Sequence, residues 1–186
     1  MTTAQRLERV KQGKKDPDLL EQLFQFGRFC TIVHTRPGQL PCGLQGLWNP
    51  ELRAAWMGCY FLNINSQMNQ WPSHVTGLGE FQNSYLDFVR SLRPHGEKFA
   101  RFIKRDGFCF GHYTDCWKRT YFSGNNPEWG ASLMNGAWAC AYLVDSYRFT
   151  GDREDLKKSL PILESNARFI MSWFEDDGCL LYTSDA

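Results

Sequence analysis

The chain has 186 residues, 42% of them hydrophobic and 22% charged, a balance that excludes a fibrous or disordered segment and fits one globular domain, or part of a larger one. Its 21 basic and 20 acidic side chains leave a net charge of +1, so no global field recruits nucleic acid or an anionic membrane, and the expected partner is neutral. No apolar run approaches the roughly 20 residues of a membrane span, and Met1-Thr2-Thr3-Ala4-Gln5-Arg6 has no apolar signal core; the compartment stays open.

In chain order, Asp16-Pro17 sets a capping carboxylate before a proline at the first helical position. Leu19, Leu20, Leu23, Phe24, Phe26, Cys30 and Val33 follow at helical spacing, which predicts a helix to about His34, stopped by Arg36-Pro37-Gly38. Residues 36–58 hold Pro37, Pro41 and Pro50 with Gly38, Gly43, Gly46 and Gly58 and show no period, the signature of a long and therefore functional loop. A short helix is expected over 64–70 before Pro72, a second over 77–92 and a third over 95–104.

Residues 106–132 read as a second long loop, rich in Gly, aromatic and polar residues. Met134, Ala137, Trp138, Ala141, Tyr142, Val144 and Tyr147 predict a helix over 134–149. Gly151-Asp152 closes that helix and opens another, running to Phe174, in which Pro161 is tolerable only near the start or as a kink. Strand signals are almost absent. The expected fold is all-α, helical hairpins alternating with long loops, which fits a partial (α/α)6 toroid; the rival, a plain antiparallel bundle, would have mostly short connections.

Seven cysteines form an odd, scattered set without a Cys-x-x-Cys pair. They read as free thiols rather than a disulfide framework or a zinc site. Aromatic residues make up 15% of the chain, with seven Trp; most are expected in the core, while exposed Trp faces suit the apolar face of a sugar ring.

Three constellations could carry chemistry. In residues 59–72, Asn63, Asn65, Gln67, Asn69 and Gln70 place five carboxamides within eight positions. Each has donors and an acceptor, so their burial requires a dense internal network of caps and turns or a polyhydroxylated ligand. The second is Gly111-His112-Tyr113-Thr114-Asp115-Cys116-Trp117, where an imidazole, a carboxylate and a Trp face suit a sugar clamp, or where Asp115 holds a loop by an Asp turn. The third, Trp129 to Trp138 around Asn135-Gly136, enters a helix beside a possible site, with Trp138 at a position more often taken by a core residue. No metal is expected, since no further His or carboxylate recurs at ligand spacing, and no phosphate loop or Gly-x-Ser-x-Gly elbow is present; no cofactor is expected.

Arg36-Pro37-Gly38-Gln39-Leu40-Pro41, Leu44-Gln45-Gly46-Leu47-Trp48-Asn49, Leu62-Asn63-Ile64-Asn65, Met68-Asn69-Gln70-Trp71-Pro72, His112-Tyr113-Thr114-Asp115 and Gly136-Ala137-Trp138, in this order, resemble glycoside hydrolase family 95, the inverting α-L-fucosidases. The resemblance runs from about residue 5 to Gly178 and implies the N-terminal part of an (α/α)6 catalytic barrel. It implies Asn63 and Asn65 as catalytic, Asn65 positioning the attacking water and Asn63 beside it, with an aspartate polarising the amide and a glutamate protonating the leaving oxygen. It implies that His112 and Asp115 face the sugar, with Trp117, Trp129 and Trp138 as further substrate contacts, and a fucosylated glycan as substrate. Two departures touch the expected pocket: Ser132 stands where the family commonly has Trp, with Trp129 placed to fill that space, and Tyr113 stands where it often has Asn. An α-L-galactosidase of the same fold is therefore an alternative, as is a non-catalytic carbohydrate-binding or scaffold protein.

The family's glutamate and aspartate are expected beyond the last residue, and Glu164 and Glu175, read as lying on a helix face, match no motif. An isolated fragment is thus expected to be inactive. Cys179-Leu180-Leu181-Tyr182-Thr183-Ser184-Asp185-Ala186 reads as translated transposon-type sequencing adapter. The expected division is accordingly a partial catalytic domain over 1–178 and a non-native tail over 179–186.

Overall fold

A computed structural model describes residues 1–46, 48–122, 132–176 and 181–183, the last stretch and residues 175–176 by backbone alone. The fold is all-α, with two short strand pairs among the described residues.

Helix α1 (Thr3–Lys11) has no counterpart in the sequence reading. Its start is a reciprocal cap: Gln5 N–H donates to Thr2 Oγ1 (3.3 Å) and Thr2 N–H to Gln5 Oε1 (2.8 Å). Helix α2 (Pro17–His34) begins as expected, with Asp16 Oδ1 accepting Leu19 N–H at 3.1 Å. Arg6 binds both oxygens of Asp16 at 2.8 and 2.9 Å, tying the two helices together. The described residues of 36–58 form the expected loop, ending in a 3-10 turn at Ala55–Gly58.

Strand β1 (Tyr60–Phe61) leads into α3 (Asn65–Gln70). Helix α4 (Gly79–Phe102) is continuous through Pro94, where two helices were expected. A proline inside a helix costs about 3 kcal/mol, but Tyr85, Leu86, Phe88, Val89 and Leu92 before it are buried in the main core, and Phe99 and Ala100 after it are buried in a second cluster with Cys109 and Phe169. Burial on both sides of Pro94 outweighs the missing hydrogen bond.

Strand β2 (Tyr113–Thr114), α5 (Asn135–Thr150) and α6 (Arg153–Met171) follow. The α5–α6 hairpin turns at Gly151, in the left-handed region at φ 70°, and Asp152 caps α6 by accepting the Glu154 and Asp155 N–H groups at 3.0 Å. Pro161 is the ninth residue of α6 and exposed, inside the helix and not at its start, which was one of the two places the sequence allowed. Strands β3 (Phe174–Asp176) and β4 (Leu181–Thr183) pair antiparallel, so Glu175 belongs to a strand and not, as the sequence suggested, to a helix face.

The core forms where α4, α5 and α6 meet Tyr60, Leu62 and the extended run Phe108–Phe110. Gly96 of α4 lets that run pass: a Cβ there would overlap the Phe108 ring and the Cys109 carbonyl. Phe108 N–H donates to Ser165 O (3.0 Å) and Asn166 Nδ2 to Phe108 O (3.1 Å), so α6 aims the chain that leads to His112. The six cysteines among the described residues are free; Cys59, Cys109 and Cys140 are buried, and burial pushes the Cys109 and Cys140 thiols up to about 12. Cys179 lies outside the described residues.

Candidate active site

Two segments far apart in sequence meet at one short ladder. Tyr60 pairs with Thr114 and Phe61 with Tyr113, and Leu62 N–H donates to His112 O at 2.9 Å. The next residue, Asn63, thereby comes beside His112: Asn63 Nδ2 lies 3.4 Å from His112 Nδ1. Burial holds the His112 imidazole below its ordinary pKa. A neutral ring with its proton on Nε2 offers Nδ1 as the acceptor for the Asn63 amide.

Between the two asparagines the backbone is strained. Ile64 has φ 96° and ψ −45°, a conformation rare for any β-branched residue, and outliers of this kind cluster at functional sites. Gln67, with no side-chain exposure, supports it from below: Oε1 accepts Ile64 N–H (3.2 Å) and Nε2 donates to Leu62 O (2.5 Å). Tyr142 of α5 donates from its hydroxyl to Gln67 O at 2.8 Å, anchoring α3 to the core.

The five amides of residues 63–70 divide by helical face. Gln67 and Gln70 point inward and are buried, Gln70 Nε2 lying 3.8 Å from Cys42 Sγ. Asn63, Asn65 and Asn69 are half-buried, Asn65 and Asn69 one turn apart, with Asn69 Nδ2 3.5 Å from Gly43 O. Both readings of the amide cluster therefore have members: an internal network for the glutamines, a solvent-facing edge for the asparagines.

Asp115 makes the turn that was one of its two readings. Oδ1 accepts the Trp117 and Arg119 N–H groups at 2.9 and 3.3 Å, and Oδ2 accepts Arg119 Nε at 2.5 Å. Burial pushes its carboxyl up, but the Arg119 guanidinium and the two amides hold it below the usual carboxylate range. Trp117, at 80% exposure, presents its ring to solvent beside that turn. Phe61 packs edge-on to His112 (5.4 Å between centroids) and against Tyr113 (5.4 Å) and Trp56 (5.3 Å), giving the Asn63–His112 pair an aromatic flank.

Trp138 lies elsewhere, in a cavity of about 180 Å³ lined with Trp71, His74, Gln82, Tyr142 and Phe149; Asn63, Asn65, His112 and Asp115 are not among its lining residues. Trp129 lies outside the described residues. Two further groups position the site, the first within the Asn135-Gly136 segment that the sequence singled out. Asn135, buried at the start of α5, donates to Gly111 O (3.1 Å) and accepts from Ser132 Oγ (2.8 Å), holding the His112 loop. Phe61 showed no signal beyond its apolarity. No group of three or more His, Cys, Asp or Glu among the described residues is arranged to hold a metal, and no helix among them is long and apolar enough to cross a membrane.

The all-α scaffold thus brings the Asn63 amide, the His112 imidazole and an aromatic flank together at one short ladder. Residues 1–185 match the family model of the glycosyl hydrolase family 95 catalytic domain, and the chain belongs to that family. It is 36% identical to "Alpha-L-fucosidase 2" of Arabidopsis thaliana over 174 residues, covering 92% of this chain and 20% of that relative. It is 30% identical to "Probable alpha-fucosidase A" of Aspergillus niger over 166 residues, 87% of this chain and 21% of that one. The chain thus spans about a fifth of the length of these relatives.

Proposed function

We propose that this chain carries the amide side of an inverting α-L-fucosidase site. The observation that carries the reading is the Asn63–His112 contact at 3.4 Å, made across the β1–β2 ladder with Ile64 strained between Asn63 and Asn65. In this reading Asn65 orients the attacking water and Asn63 stands beside it, oriented by His112. His112 and Asp115 meet sugar hydroxyls, and Trp117 offers a stacking face.

Inversion needs an acid on the leaving-group side and an activated water on the opposite face. An uncharged amide is a weak base, so the water must also feel a carboxylate. Among the described residues Glu164 is exposed on α6 and has no place at this site. The acid and the polarising carboxylate come, on this reading, from parts of the enzyme outside this chain. We likewise take residues 1–178 as catalytic-domain sequence and 179–186 as a non-native tail, which the genomic reading frame decides.

The test is hydrolysis of aryl α-L-fucoside by the protein extended to the length of its relatives. Wild type should release fucose with inverted configuration. Asn65→Ala should lower kcat about 100-fold or more with an unchanged melting temperature, whereas near-normal turnover would refute the assignment. The 186-residue chain alone should show negligible hydrolysis. Tyr113 beside Phe61 and His112 makes L-galactoside the comparison substrate: faster release of L-galactose would move the specificity to that sugar.

A further inference from the structure

We propose that Gln67 is the positioning residue of this site: its buried carboxamide fixes the two peptide groups on either side of Asn63 and so sets where the Asn63 amide stands relative to His112. The bond from Gln67 Nε2 to Leu62 O holds the peptide before Asn63, and the bond from Ile64 N–H to Gln67 Oε1 holds the peptide after it. With Leu62 N–H already bound to His112 O, the backbone of Asn63 is clamped between a side chain on one edge and the β1–β2 ladder on the other.

Helix capping alone does not explain this geometry. A cap needs only the Ile64 N–H, whereas the bond to Leu62 O lies outside the helix and spans Asn63. Nor is the side chain needed to dock α3, since Tyr142 Oη binds Gln67 O (2.8 Å) and Gln82 Nε2 binds Gln70 O (3.2 Å). What the carboxamide adds is retention of Ile64 at φ 96°, a conformation that persists only where its surroundings over-determine it. Without the clamp the backbone relaxes and carries both asparagines with it.

The clamp stands independently of the fucosidase reading, which enters only in the kinetic arm. In the 15N-labelled 186-residue chain, Gln67→Met, which keeps length without hydrogen bonds, should abolish the cross-relaxation between the Asn63 side-chain amide and the His112 ring and speed exchange of the Ile64 amide about 10-fold or more. Gln67→Glu keeps the variant testable should Gln67→Met not fold. A protonated carboxyl both donates to Leu62 O and accepts from Ile64 N–H, while a carboxylate cannot donate. Burial at this fully enclosed position raises a carboxyl above its ordinary value of about 4.3, so the Asn63–His112 signal should be present at about pH 5 and lost at about pH 8, with wild type run in parallel to account for His112, the titrating neighbour through Asn63. Tyr142, pushed up to about 12 by burial, does not titrate in that range. In the full-length enzyme Gln67→Met should lower kcat about 100-fold with KM changed less than about 3-fold, the loss expected of a displaced reacting group. Unchanged Ile64 exchange and an intact Asn63–His112 signal in Gln67→Met, or a Gln67→Glu signal identical at both pH values, overturns the clamp. A wild-type protein that cleaves no fucoside overturns the fucosidase reading while the resonance measurements still decide the role of Gln67.

Discussion

At the scale of single residues, His112 links pH to this site. Burial lowers the pKa of His112 and of His74. Below the ordinary imidazole value of about 6.5 the unfolded chain binds protons that the folded chain refuses. Stability is therefore fully present above that pH and lost as pH falls through the depressed folded values. Urea midpoints should be flat between about pH 8 and about pH 7 and fall toward about pH 5, with His112→Ala and His74→Ala each flattening the slope. Protonation of Nδ1 also turns the acceptor of Asn63 Nδ2 into a donor. In the full-length enzyme, kcat should consequently drop on the acid side, at a pH below the ordinary imidazole value.

At the scale of elements, the site depends on how α4 and α6 steer the run that ends at His112. Gly96 is the close approach in that contact, and an added methyl would meet the Phe108 ring and the Cys109 carbonyl. Gly96→Ala should destabilise by about 2 kcal/mol despite its better helix propensity, because overpacking against backbone cannot relax cheaply; chemical denaturation measures it. At the other end of α6, Asp152 satisfies two otherwise orphaned N–H groups. Asp152→Ala should cost about 1 kcal/mol, with no effect on the Asn63–His112 contact. The Asp16-Pro17 and Gly151-Asp152 signals were legible in sequence because capping chemistry is local. The continuity of α4 through Pro94 was not, because it follows from burial against α5 and α6.

At the scale of the whole molecule, α2 departs most from a finished fold. It has no buried residue, and Leu20, Leu23, Phe24, Phe26 and Phe29 are exposed on it, Leu20 at 70%. With Leu7 and Val10 of α1, Leu20, Leu23 and Phe26 line an apolar groove of about 510 Å³. Contiguous apolar surface of this kind associates in water. The 186-residue chain should sediment as oligomers, and Leu23→Glu with Phe26→Gln should raise the monomer fraction without lowering the melting temperature, since neither residue is buried. A drop in melting temperature equal to that of a core substitution would show instead that α2 packs inward.

The sequence by itself determined the helical class, most helix starts, the family and the run of amides at 63–70, because periodicity, capping residues and motif order are written locally. It also held the alternatives for Asp115, both of which its chemistry allows. Only the tertiary structure decided which amides turn inward, that Trp138 lines a cavity with Trp71 and His74, and that Asn63 meets His112 forty-nine positions away in sequence. The physical reason is that such meetings are products of packing. A two-residue ladder, a strained Ile64 and one buried glutamine place the asparagines, and none of these leaves a periodic or local mark in the chain.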